Sequence, residues 1–235
     1  MSTASSPFAA VLFDMDGVLI ESKQGIENAW RKAALLHGRQ ISDEEMNELV
    51  HGRPGSFTVD ALFPHLTAPQ KQEVRRLVDS IQESDPCESI VGVEAFIQEL
   101  IAHGITFGLV TSGWPTRIEF VLQNLGLAGK FSVIVSRDDV RQGKPNPEPY
   151  LTAAARLGLP ASRTIVYEDS ASGVQAAAKA GAYCVGIGGE ELLDVGARTA
   201  IRDFSGISLQ RTSPGEVSMI FSSGHKMLVE CARRD

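Results

Sequence analysis

A chain of 235 residues with 43% apolar side chains can bury a sizeable core, which excludes intrinsic disorder and fits one large domain or a core with an inserted module. Its 22 basic and 29 acidic residues leave a formal charge of -7, which argues against nucleic acid or an anionic membrane as partner. Three cysteines, Cys87, Cys184 and Cys231, are too few and too scattered for a disulfide framework or a zinc pattern, so a reducing compartment is expected.

The stretch MSTASSPF at the start has neither the basic beginning nor the long apolar run of a secretion signal. No run approaches the ~18 apolar residues of a membrane span. The expected location is therefore the cytoplasm.

The first predicted strand covers residues 8–13 and runs directly into Asp14-Met15-Asp16-Gly17. Two carboxylates at the end of an apolar run repel each other and cost desolvation unless a positive group offsets them. Residues 22–88 then break any strand rhythm. They read as four helices, at 25–37, 43–50, 55–63 and 69–83, with helix starts at Ser42-Asp43 and Thr67-Ala68-Pro69. The loop His51-Gly52-Arg53-Pro54-Gly55 interrupts the second and third of these, and His51 and Arg53 are its candidates for touching a ligand.

From residue 92 onward, helices and strands alternate. Helices are expected at 92–103, 116–125, 147–157 and 172–180, and strands at 106–110, 132–135, 164–167 and 183–187. The strands are short apolar runs without polar alternation, as in a parallel sheet buried on both faces. The expected fold is α/β: a doubly wound parallel, Rossmann-like sheet made of residues 1–21 and 89–235, with an inserted α-helical module at 22–88. The tail after about residue 210 is not assigned an element.

Ligands of such sheets bind beyond the carboxyl ends of the strands, and the chemically distinctive residues fall there. Thr111-Ser112-Gly113 follows the strand at 106–110, Glu168-Asp169 follows the strand at 164–167, and Lys144 lies in the loop after the strand at 132–135. Asp14, Asp16, Glu168 and Asp169 offer hard oxygen ligands, suited to Mg2+ rather than zinc. With the ammonium of Lys144 and the donors of Thr111 and Ser112, the set suits a phosphoryl group. A carboxylate can serve as nucleophile in phosphoryl transfer, and a second one can carry the leaving-group proton. The structural alternatives are plainer: Asp14 and Asp16 as a turn and cap pair, Glu168-Asp169-Ser170 as a helix cap, and Thr111 as a partner for a strand-end amide.

These four pieces, in this order, resemble the haloacid dehalogenase-like phosphatase superfamily. Asp14-Met15-Asp16-Gly17, Thr111-Ser112, Lys144 in Gly143-Lys144-Pro145-Asn146-Pro147, and Glu168-Asp169-Ser170-Ala171-Ser172-Gly173-Val174 match its four motifs across residues 8–190. The helical insert resembles the C1 cap of the branch that contains beta-phosphoglucomutase and many sugar phosphatases. The resemblance implies that Asp14 is the nucleophile and a magnesium ligand, and that Asp16 is the general acid/base with a backbone carbonyl on the metal. It implies that Thr111 and Ser112 hold the phosphate, that Lys144 neutralises it, and that Asp169 and Glu168 ligate the metal.

The sequence departs from the mutase pattern at Ile26, where the mutase branch keeps a histidine in the first cap helix. The dehalogenase branch lacks the second aspartate, so Asp16 argues against it. The expectation is a Mg2+-dependent phosphatase that hydrolyses a small phosphorylated metabolite, a sugar or polyol phosphate, through an aspartyl-phosphate. The alternatives are a sugar phosphomutase and a non-catalytic regulator on the same fold.

Overall fold

The computed structural model describes residues 7–231. Its centre is strand β1 (Ala10–Phe13), buried at every position. Side chains alternate along a strand, so Val11 and Phe13 enter the apolar cluster on one face of the sheet while Leu12 enters the other. Burial on both faces explains why this run shows no polar alternation.

Two short strands, β2 (Ile20–Glu21) and β3 (Glu88–Ser89), pair antiparallel and bracket a helical segment. Its helices are α1 (Lys23–Leu36), α2 (Asp43–Leu49), α3 (Gly55–Leu62) and α4 (Ala68–Gln82). They pack around their own core, with Trp30, Met46, Leu62, Phe63 and Val74 at its centre. Local chemistry sets two of the starts. Ser42 Oγ accepts from the Glu45 amide at 3.1 Å while Glu45 accepts from the Ser42 amide at 3.0 Å, a reciprocal cap. At α4 the Gln70 carboxamide accepts from the Thr67 amide at 2.9 Å.

The chain then alternates: α5 (Val93–His103), β4 (Thr106–Val110), α6 (Pro115–Asn124), β5 (Val133–Val135), α7 (Glu148–Arg156), β6 (Thr164–Glu168), α8 (Ala171–Ala180), β7 (Tyr183–Ile187), α9 (Glu191–Asp194) and β8 (Thr199–Ile201). The six-stranded sheet has the order β5-β4-β1-β6-β7-β8, and every pairing in it is parallel. The path leaves β1 through β4 to β5, then returns to β6 on the opposite side of β1. That reversal opens a crevice beyond the carboxyl ends of β1, β4 and β6.

The doubly wound expectation holds, and several elements outside it were not foreseen: the short strands β2 and β3, the short helix α9, strand β8 and a tail sheet. Strand β8 has three part-buried residues and no apolar run to announce it. Beyond it, β9 (Ile207–Ser213), β10 (Glu216–Phe221) and β11 (Lys226–Glu230) form a separate antiparallel sheet. One face of that sheet, carrying Val217, Met219, Met227 and Val229, joins the core. Phe8, at the start of the expected first strand, pairs with this tail instead: its amide donates to the Leu228 carbonyl at 2.8 Å. No helix among the described residues is long and apolar enough to cross a membrane. The three cysteines carry free thiols.

Polar contacts tie the helical segment to the sheet layer. Arg137 makes a bidentate pair with Asp79 of α4, at 2.6 and 3.2 Å, and its guanidinium lies 4.8 Å from the Trp114 ring centroid. Ser172 Oγ donates to the Gly52 carbonyl at 2.7 Å. Arg117 donates to the Asp85 carbonyl and to Cys87 Sγ, each at 2.7 Å, and so anchors the returning connection.

Candidate active site

The last residue of β1 hands directly to Asp14, whose amide donates to the Tyr167 carbonyl at 3.1 Å and fixes the turn to the sheet. Lys144 reaches the same point from the loop before α7. Its Nζ lies 2.9 Å from Asp14 Oδ1, 2.5 Å from Glu168 Oε1 and 3.0 Å from the Val110 carbonyl. Glu168 Oε1 also accepts from the Tyr150 hydroxyl at 2.5 Å. One buried ammonium therefore serves two carboxylates and a strand-end carbonyl.

Burial pushes the Asp14 carboxyl up to about 7; the adjacent Lys144 opposes this, and Glu168 and Asp16 add to it. Burial alone would lower Lys144, but Asp14 and Glu168 outweigh it and hold the ammonium above its ordinary value. The Tyr150 phenol is raised well above its usual range by burial and by Glu168, so it acts as a hydrogen-bond donor at neutral pH.

Carboxylate oxygens of Asp14, Glu168 and Asp169 all lie within 4.8 Å of one another. Strand β6 ends at Glu168, so Asp169 is free of the strand's alternation and joins its neighbour in one cluster. Two glycines make the room. A Cβ on Gly17 would fall 1.9 Å from Asp169 Oδ2, and the residue also has φ +72°, where side chains are disfavoured. A Cβ on Gly173 would fall 1.9 Å from the Glu168 carboxyl carbon, so α8 can start directly over that group. Ser170 Oγ accepts from the Gly173 amide at 3.1 Å and caps this helix. The Glu168-Asp169-Ser170 run thus supplies both the cap and the carboxylates. Three hard oxygen donors packed around partly uncompensated charge fit a divalent magnesium ion.

Asp16 stands outside that cluster. It occupies a tight turn in which the Gly17 amide donates to the Ile20 carbonyl at 2.8 Å. Its half-buried carboxylate makes no hydrogen bond or ion pair among the described residues. Thr111 is buried, with Oγ1 accepting from the Gly113 amide at 2.9 Å; Ser112 beside it is exposed.

Thr111, Ser112 and Lys144 line a cleft of about 330 Å³ between the sheet layer and the helical segment. The helical side contributes Trp30, Gly55, Arg75 and Asp79, and the sheet layer adds Arg137, Asp138 and Arg141. His51 and Arg53 do not line it. His51 Nε2 lies 3.0 Å from Glu27 Oε1, and Nδ1 lies 3.0 Å from Asn47 Oδ1. Burial, reinforced by Lys23, lowers the His51 pKa. Arg53 donates Nε to the Glu48 carbonyl at 3.1 Å and lies 5.3 Å from the Phe57 ring centroid. The cationic wall residues Arg75, Arg137 and Arg141 escaped sequence reasoning because nothing local marks which face of a solvated helix or loop meets the cleft.

Comparison with known proteins assigns the chain to a family. A family model described as haloacid dehalogenase-like hydrolase matches residues 8–181. The validoxylamine A 7'-phosphate phosphatase of Streptomyces hygroscopicus subsp. limoneus is 31% identical over 186 residues, covering 77% of this chain and 85% of that protein. A fructose-1-phosphate phosphatase of Escherichia coli K12 is 30% identical, covering 77% of this chain and 96% of that one. A beta-phosphoglucomutase crystal structure from Clostridium difficile superposes with a TM-score of 0.72 at 25% identity, covering 84% of this chain and 92% of the other. With its motifs gathered at one crevice and a family model spanning most of its length, the chain belongs to the haloacid dehalogenase-like hydrolases.

Proposed function

We propose that this protein is a Mg2+-dependent phosphatase that hydrolyses a small phosphorylated metabolite, a sugar or polyol phosphate, through a phosphoryl-Asp14 intermediate. The observation that carries the reading is the Asp14–Lys144 pair, 2.9 Å apart: Lys144 lines the cleft together with Thr111 and Ser112, and Asp14 lies directly behind it. Residues 22–88 act as a cap over a core made of residues 1–21 and 89–235. The phosphatases among its relatives support the reaction class, and the fructose-1-phosphate phosphatase supports a sugar.

Lys144 favours the ionised, nucleophilic form of Asp14 against the burial that raises its carboxyl, and it offsets charge on the phosphoryl group. An Asp14 oxygen attacks phosphorus in line as the bond to the leaving oxygen breaks, and Asp16 delivers a proton to that oxygen. Asp16 then takes a proton from water, whose oxygen displaces Asp14 from phosphorus and regenerates both carboxyl groups. Thr111 and Ser112 orient the phosphoryl oxygens. Asp14, Asp169 and the Asp16 carbonyl would hold magnesium, with Glu168 completing the cluster while its Oε1 positions Lys144; the ion would neutralise phosphoryl oxygens. The cap governs access to the cleft, and His51 and Arg53 serve it from within by tying the cap loop to Glu27, Asn47 and Glu48. A reducing cytoplasmic setting is consistent with three free thiols.

Ile26 favours hydrolysis over intramolecular transfer, because it offers no imidazole where the mutase branch places one. The test is a panel of phosphorylated metabolites with Mg2+, with Asp14→Asn as the blank. Free phosphate should appear with the native protein and be lost in the variant. Accumulation of glucose 6-phosphate from glucose 1-phosphate without free phosphate would establish the mutase instead, and full activity in Asp14→Asn would remove Asp14 from the mechanism.

A further inference from the structure

The charges lining the cleft do not balance. Four cations face it, Arg75, Arg137, Arg141 and Lys144, against two acids, Asp79 and Asp138. Lys144 is taken by Asp14 and Glu168. Arg137 takes both acids, pairing with Asp79 at 2.6 Å and lying 3.9 Å from Asp138. Arg75 and Arg141 are left over. Among the described residues, neither guanidinium has a carboxylate within 4.0 Å, a hydrogen bond or an aromatic ring.

Arg141 is exposed, as solvated arginines often are, whereas Arg75 is half-buried. It sits on α4 beside Gly55 and Trp30: a Cβ on Gly55 would come within 3.9 Å of Arg75 Nε and 3.8 Å of Trp30 Cζ2. A guanidinium partly removed from water, at a ligand-sized cleft and without an anion, is unfavourable unless the ligand supplies one. Its planar fork matches a carboxylate or a phosphate. The transferring phosphoryl group is already provided for by Lys144, Thr111 and Ser112, so Arg75 is available to a different group.

Building on the phosphatase reading, we infer that the substrate carries a second anionic group, a carboxylate or a second phosphate, and that Arg75 on the cap is the residue that selects it, with Arg141 assisting from the core. The preferred substrate is then a phosphorylated sugar acid or a sugar bisphosphate rather than a phosphorylated neutral sugar. Arg75 acts on specificity and not on the transferring phosphorus.

Matched pairs test this: glucose 6-phosphate against 6-phosphogluconate, and fructose 6-phosphate against fructose 1,6-bisphosphate, with p-nitrophenyl phosphate as a general reporter. The readout is the ratio of kcat/KM within a pair. The native protein should favour the doubly anionic member of at least one pair by about tenfold or more, the scale of a charge-assisted hydrogen bond. The pair that responds identifies the carboxylate or the phosphate. Arg75→Met should collapse the ratio, Arg75→Lys should restore part of it, and Arg76→Met, one residue along on an exposed position, should leave it unchanged. Hydrolysis of p-nitrophenyl phosphate reports that each variant is folded. Turnover of that reporter with no preference in either pair, or an equal loss on all substrates in Arg75→Met, overturns the inference alone. No phosphate release from any compound overturns the phosphatase reading and this inference with it.

Discussion

Lys144 Nζ lies 2.9 Å from Asp14 Oδ1, and the same ammonium is shared with Glu168. Lys144→Met should therefore do more than remove a phosphate ligand. It leaves two buried carboxylates without their cation, a change of about 3–5 kcal/mol where one partner of a buried pair is lost. Urea denaturation at pH 7 should show that scale of destabilisation, and phosphate release should fall by about 100-fold or more, the scale of losing one preorganised electrostatic group.

Gly17→Ala should damage the site while leaving the fold in place. The new Cβ would collide with Asp169 Oδ2 and would also sit at φ +72°, which costs about 1–2 kcal/mol for a residue with a side chain. Asp169 must move away from Asp14. Steady-state kinetics should show a larger loss of kcat than the thermal shift alone would suggest, together with a raised Mg2+ requirement.

Magnesium has a readout that does not depend on turnover. A ligand that binds the native state alone stabilises it by about 2.7 kcal/mol at a hundredfold excess over its Kd. Added Mg2+ should therefore raise Tm, and EDTA should reverse the shift. In Asp169→Asn, which removes one of the three clustered carboxylates, the Mg2+-dependent shift should shrink or disappear.

The Arg137–Asp79 pair clasps α4 to the loop after β5. If it acts as a clasp, Arg137→Met and Asp79→Asn should be non-additive in stability, with a coupling of about 0.5–1 kcal/mol for a part-exposed pair. The single variants should each raise KM for the substrate, because a looser hold on α4, whose Arg75 and Asp79 line the cleft, organises it less well. Strict additivity in the cycle would argue that the two residues act independently.

Asp139 gives a pH prediction with a definite sign. Hydrogen bonds from Ser136, then from Arg156, lower its pKa to about 2 from an ordinary 3.8. A depressed folded-state pKa contributes stability that is complete above about pH 4 and is lost as pH falls towards 2. Solvent screening at this exposed carboxylate limits the contribution to about 1 kcal/mol. Asp139→Asn should be less stable than the native protein at pH 7 by that amount, and the difference should narrow steadily between pH 4 and pH 2.

Much of this protein was legible in its sequence because the decisive signals are local. Apolar runs without alternation mark strands buried on both faces, and β1, β4, β6 and β7 formed within two residues of their expected bounds. Helix caps at Ser42 and Thr67 are settled by side chains three residues away. Asp14, Thr111, Lys144 and Asp169 each follow a strand, and a parallel sheet places all such positions at one edge.

What the sequence left open depends on distant packing. The tail sheet β9–β11 forms because its apolar face finds the core cluster and Phe8 pairs with it, a meeting that no local period announces. Only the folded chain shows that Glu168 and Asp169 join one cluster, since the strand stops between them. Only it shows that His51 and Arg53 are engaged within the helical segment while Arg75 faces the cleft. A helix's periodicity tells which of its faces is apolar. The partner that its polar face meets is fixed by how whole elements pack, and at this cleft that packing decided which cations remain unpaired.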